Sequence, residues 1–243
     1  MSAVPLSTTD GTCRSMSVSA FGRSFTVLVD DTSLDHGLML WDASVAFLRW
    51  LEANPREVEA LRGARVLELG AGTGLLGLAL AHCLGARVVL SDLSRVCGNL
   101  SANCAADPLK PGAPGSLLVV PFDWCDSDAP AAVLAAVTAA TAAASAFDAI
   151  IGTDVAYSEA LNPTLLSAAA ACARASEVAG VKCTVYFANE LRCEVAQAVF
   201  DRVAPTLFAG AKRIPSKHLP EALRAQNMIF FKMRLLPAER RAV

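Results

Sequence analysis

The stretch from Arg65 to Asp92 does most to limit what this chain can become. It holds a short β-rich run (RVLEL), a turn built from Gly70, Ala71, Gly72, Thr73 and Gly74, an apolar helical run (LLGLALAHCL), and a second β-rich run that ends on Asp92. Glycines let the backbone turn tightly and let a ligand approach the start of the following helix. Asp92 stands 20 residues after Gly72, the place where a carboxylate accepts both hydroxyls of a bound ribose. A strand, a tight turn, a helix and a second strand make a βαβ unit.

The alternation continues downstream. RVCGNLSANCAA reads as helix, SLLVVPF as strand, the alanine-rich run as helix and FDAIIG as strand. A helix after Asn162, the strand VKCTVYFA and a helix from Glu190 to Val203 follow. Such alternation implies a parallel sheet with helices on both faces, a doubly wound α/β domain. TLFAGAKRI and NMIFFKMRLL lack a long helix between them, so they are expected to pair as an antiparallel edge. Ahead of this domain, SVSAFGRSFTVLVD alternates around a Gly-Arg turn and predicts a hairpin. Val45 to Leu61 reads as helical, with a break at Asn54-Pro55. The expected organisation is an N-terminal extension over 1–60, with a disordered polar start of about 20 residues, and the α/β domain over 61–243.

Composition removes several classes. The chain has 243 residues, 54% of them apolar, enough for a sizeable core. With 21 basic against 23 acidic side chains there is no basic stripe, so a nucleic-acid partner is not expected. The eight cysteines include no C-x-x-C pair, and the three histidines lie far apart, so no metal site is expected. The uncharged run from Ala129 to Phe147 has the length of a membrane span but is mostly Ala, Thr and Ser, and it reads as a partly buried helix. The N-terminus shows no signal-peptide pattern. Free thiols in a reducing compartment, cytoplasmic or nuclear, are expected.

Gly72-Thr-Gly74-Leu-Leu-Gly77 also satisfies the dinucleotide pattern G-x-G-x-x-G. Two details favour a different ligand. The first glycine after the strand is Gly70, so the dinucleotide register starts two residues late. Glu68, at the strand end, is expected to aim a carboxylate at the site. That charge repels a pyrophosphate and suits S-adenosylmethionine, which carries an ammonium and a sulfonium.

Together these residues resemble the seven-stranded class I methyltransferases and, more closely, methyltransferase family 16, whose characterised members are mostly protein-lysine methyltransferases. The matching segments run from about Phe21 to Leu235. They are Gly37-x-x-Leu40-Trp41-Asp42-Ala43, VLELGAGTGLLGLALAHCLGA, SDLSRVCGNLSAN, Phe122-Asp123-Trp124 and FDAIIGTDVAYSEAL. The Asp-x-x-Tyr of Asp154 and Tyr157 is the most specific of them. The resemblance implies a mostly parallel seven-stranded sheet and S-adenosylmethionine as cofactor. It implies a cofactor site of Trp41, Glu68, Gly70, Ala71, Gly72, Asp92, Trp124 and Thr153, with Asp154 and Tyr157 at the methyl-transfer pocket. It also implies a lysine-containing protein substrate; the enzyme is expected to be a monomer. Two departures stand out: Thr153 is often Ala in relatives, and Asn189-Glu190-Leu191-Arg192-Cys193 differs where substrate choice is expected.

Plainer readings compete with each assignment. Trp41 and Trp124 suit a core, Asp154 suits a helix cap, and Tyr157 suits a turn. At the level of function, a methyltransferase acting on a small-molecule amine and a non-catalytic cofactor-binding module remain open. A nicotinamide enzyme stands further off.

Overall fold

The computed structural model describes residues 13–30, 32–33, 35–141, 146–224 and 226–237. In chain order it has strands β1 (Cys13–Ala20) and β2 (Arg23–Asp30), then helices α1 (Asp42–Glu52) and α2 (Pro55–Leu61). The alternating part follows: β3 (Arg65–Leu69), α3 (Leu75–Leu84), β4 (Arg87–Asp92), α4 (Cys97–Ala106), β5 (Ser116–Pro121), α5 (Ala129–Thr141), β6 (Ala149–Thr153), α6 (Asn162–Val178), β7 (Thr184–Glu190) and α7 (Glu194–Leu207). β8 (Phe208–Ala209), α8 (Glu221–Arg224) and β9 (Met228–Leu235) close the described chain.

Seven strands form one sheet in the order β5-β4-β3-β6-β7-β9-β8. The pairs from β5 through β7 are parallel, while β9 runs antiparallel between β7 and β8. The doubly wound, mostly parallel sheet expected from the alternation is therefore present, as is the antiparallel edge. From β3 the chain winds outward through β4 to β5, then crosses back to β6 and β7. The switch point, where α/β sheets bind ligands, thus lies at the carboxyl ends of β3 and β6. These ends carry the glycine turn and the Thr153-Asp154 pair.

Strand alternation divides the core into two layers. Val66 of β3 packs with α1, α3 and β2 on one face, whereas Leu67 and Leu69 pack with α5, α6 and α7 on the other. The hairpin therefore shares the first layer with the sheet: Phe25, Val27 and Val29 of β2 are buried there.

Four local expectations need correction. The hairpin turns at Phe21-Gly22 and not at Gly22-Arg23; φ is +51° and +73° at those residues, and Arg23 already pairs with Ala20. Two positive φ values match the right-handed twist of the flanking strands. The disorder expected of the first 20 residues does not reach Cys13–Ala20, which pair with β2 along their whole length, and Met16 and Val18 pack on the core; residues 1–12 lie outside the described residues. The helix expected from Glu190 begins at Glu194, because Asn189 and Glu190 are still paired with β9. The alanine-rich helix runs from Ala129 to Thr141, and residues 142–145 lie outside the described residues. Among the described residues no helix is long and apolar enough to cross a membrane.

Candidate active site

At the switch point a cleft opens between the glycine turn and the approach to α1. One wall is backbone. Gly70 and Gly72 have φ of +64° and +55°, and a Cβ on Gly70 would stand 2.5 Å from Cγ1 of Val155 and 3.5 Å from the Trp124 ring. The turn is tied down by Asp92: Gly72 N–H donates to one carboxylate oxygen at 2.8 Å and Leu93 N–H to the other at 2.7 Å. Burial pushes the Asp92 carboxyl above its usual range, and those two N–H donors oppose the rise. Gly70, Gly72, Asp92, Trp124 and Thr153 all line the cleft.

Ala71 and Glu68 do not line it. Ala71 faces the core between its two glycine neighbours. Glu68 has the same strand parity as Val66, so its side chain turns toward α3, under the glycine turn and away from the ligand side. There it is 1% exposed. Gly77 makes the room, since a Cβ on it would lie 2.8 Å from Oε2 of Glu68. Desolvation, partly offset by the Gly77 N–H, pushes the Glu68 carboxyl up to about 8. At neutral pH Glu68 is therefore mostly protonated, and the repulsion expected of it falls to other groups. Asp35, Asp92 and Asp154 supply negative charge on the cleft wall, Asp35 paired with Arg95 and Asp154 with Arg192.

The opposite wall is made of side chains brought together from three distant segments. Trp41, which precedes α1, donates its ring N–H to the His36 carbonyl at 2.8 Å. Asp154, just beyond β6, holds the left-handed conformation at φ +59°. Such a backbone costs a non-glycine residue about 1 kcal/mol and persists only when its surroundings fix it. They do so here: Asp154 N–H donates to the Ala188 carbonyl at 2.8 Å, and its carboxylate accepts from Glu190 N–H at 3.2 Å. Its other oxygen lies 2.8 Å from the Arg192 guanidinium. Burial raises the Asp154 carboxyl and Arg192 pulls it back down.

Sequence reasoning left out Arg192, His36, Asp35 and Arg95. Arg192 also pairs with Glu190 and lies over the Trp41 ring, 4.6 Å from its centroid. With His36, Trp41, Asp154 and Tyr157 it lines a second cavity that adjoins the first. Tyr157 is 48% exposed at its mouth, edge-on to the His36 ring. A signal for Arg192 was present in the unusual 189–193 segment. His36 and Asp35 belong to no motif in the sequence.

Comparison with known proteins places this arrangement. The model of a family described as "Lysine methyltransferase" matches residues 26–204. The protein N-lysine methyltransferase METTL21A of Danio rerio is 28% identical over 154 residues, covering 63% of this chain and 63% of that protein. The EEF1A lysine methyltransferase 3 of Mus musculus is 28% identical over 170 residues, covering 70% of this chain and 62% of that protein. The chain thus spans less than two thirds of the length of these curated relatives. The T. thermophilus 16S rRNA N2 G1207 methyltransferase shares the fold, with a TM-score of 0.51 at 19% identity, covering 93% of this chain and 52% of that one.

Proposed function

We propose that this chain, which belongs to the lysine methyltransferase family, transfers a methyl group from S-adenosylmethionine to a lysine side chain of a protein. The observation that carries the reading is the pair of adjoining cavities at the switch point, one walled by backbone and carboxylates, the other by aromatic rings and opening past a half-exposed Tyr157.

The residues present fit the cofactor. A Cβ on Gly70 would crowd Val155 and one on Gly72 the Gly37 carbonyl, so the turn stays bare and its backbone can approach a ligand in the cleft that both glycines line. Asp92 offers the acceptor for ribose hydroxyls, and Trp124 offers an apolar face for a base. Asp35 is ion-paired with Arg95 and Asp154 with Arg192, which leaves Asp92 as the cleft carboxylate without a cation partner among the described residues. That balance suits a donor bearing an ammonium and a sulfonium better than a pyrophosphate. When bound, S-adenosylmethionine supplies an electrophilic methyl group.

The chain's own residues orient the acceptor and dry it. A lysine ammonium, with an ordinary pKa near 10.4, must shed a proton before it is nucleophilic. Desolvation between Trp41 and Tyr157 lowers that pKa. Burial holds the Tyr157 hydroxyl above its usual pKa, so it stays protonated and serves as a hydrogen-bond partner for the amine, not as a base. Asp154, with both oxygens engaged, sets the shape and charge of the pocket. The proton leaves toward the mouth, which His36 lines. An opening at the surface favours an extended lysine stem over an enclosed metabolite.

The test is incubation with methyl-labelled S-adenosylmethionine and a protein extract, wild type against Asp154→Ala. A discrete labelled band that is lost in the variant, and that yields methyl-lysine on hydrolysis, is expected. Label confined to the small-molecule fraction would replace the protein acceptor with a metabolite. No label in either fraction, despite cofactor binding, would leave a binding module.

A further inference from the structure

The second cavity already contains a cation. Arg192 is stacked on Trp41 at 4.6 Å, ion-paired with Asp154 at 2.8 Å and paired with Glu190. An aromatic face and a buried carboxylate are the features that would hold a lysine ammonium. The Asp154 side chain is only 2% exposed, whereas those of Arg192 and Glu190 are 36% and 32% exposed. The inner contact is thus the enclosed one, and the outer pair sits at the rim.

We propose that Arg192 is an internal surrogate for the acceptor's cation: it occupies the Trp41–Asp154 site until an incoming lysine side chain displaces it. This rests on the lysine-acceptor reading above and adds to it a specificity device. Glu190 is the pivot. Two residues before Arg192 and at the rim, it can keep its pair while the guanidinium swings outward and gives up Asp154. Without an acceptor, Arg192 compensates a buried carboxylate that would otherwise be unpaired, at the cost of blocking the site. Any acceptor must therefore win a competition against a tethered cation. Chains that present a positive charge on an apolar stem can do so. Neutral nucleophiles gain nothing from Asp154 and leave the latch closed.

The probe is n-butylammonium, the end of a lysine side chain, titrated at constant ionic strength without cofactor and read by tryptophan fluorescence. Trp41→Phe identifies the Trp41 contribution among the three tryptophans. Arg192→Ala is expected to bind the probe about tenfold more tightly than wild type, the gain from freeing one ion-paired aromatic site. Adding Asp154→Asn to that variant should erase the gain. Arg192→Lys, which keeps a cation in reach, should bind nearly as weakly as wild type; Arg192→Met, which keeps an apolar stem without the charge, stands in if the Ala variant does not fold and should show the same gain. Equal binding by wild type and Arg192→Ala, or a gain that survives Asp154→Asn, would overturn it. The titration involves no methyl transfer. Its failure alongside successful protein labelling removes the surrogate and keeps the enzyme; its success without labelling removes the enzyme and keeps the cation site.

Discussion

The two walls of the cleft are built by different means. The glycine wall is backbone, fixed by positive φ at Gly70 and Gly72 and by two N–H bonds to Asp92. The facing wall is side chain: Trp41 meets Asp154 and Arg192 from more than a hundred residues away in sequence, held by charge and ring contacts. A backbone wall has one shape and tolerates no added atoms. A side-chain wall held by a partly exposed ion pair can open. The difference separates a surface that binds the same ligand in every cycle from one that chooses among acceptors.

On cofactor affinity, the sharpest break is Gly70→Val. The φ of +64° penalises any β-branched side chain, and the new Cβ lies 2.5 Å from Val155. Binding of S-adenosylmethionine measured by calorimetry should fall by at least about a thousandfold, since the left-handed strain and the clash with Val155 together cost several kcal/mol and displace the turn. Retained binding would mean that the ligand does not use this wall. Asp92→Ala should cost about a hundredfold, because it removes both an acceptor for the ligand and the anchor of the turn. A loss no larger than the loss of thermal stability implies would reduce Asp92 to an anchor only.

The side-chain wall should respond in the opposite sense. Asn tolerates the left-handed conformation, so Asp154→Asn keeps the backbone at φ +59° while releasing Arg192. Cofactor affinity should stay within about threefold while turnover falls at least about tenfold, the pattern of an interaction made with the acceptor and not the donor. Steady-state kinetics and calorimetry on the same preparation separate the two. An equal fall in both would erase the distinction between the walls.

The walls also differ in how legible they were. β3, the glycine turn and Asp92 follow one another in sequence, so a local pattern revealed both their geometry and their ligand chemistry. The doubly wound sheet followed from the same alternation, because each strand and helix is patterned on its own. Arg192 over Trp41 is a contact across about 150 residues of sequence whose proximity only the tertiary fold creates. His36 and Asp35 sit in a connection with no periodicity to read. The direction of Glu68 was readable from strand parity, since Val66 and Glu68 share a face, but the charge argument pointed it at the ligand instead.

Glu68 supplies the mildest test, because it lies behind the glycine wall and not on it. Its carboxyl is raised from 4.5 to about 8 by burial. Between those two values the native state holds a proton that the unfolded chain has released, so stability is full below pH 4.5 and declines as pH rises toward 8. Glu68→Gln removes the titration and keeps the shape. Thermal melts should therefore coincide at pH 4.5, while at pH 8 the variant should melt about 5 °C higher, the equivalent of a few kcal/mol in a domain of this size. Cofactor affinity at pH 7 should change by less than about twofold, because the group is largely neutral there and faces α3. A large loss of affinity would mean that Glu68 acts on the ligand as a charge, and the backbone wall would then depend on a side chain after all.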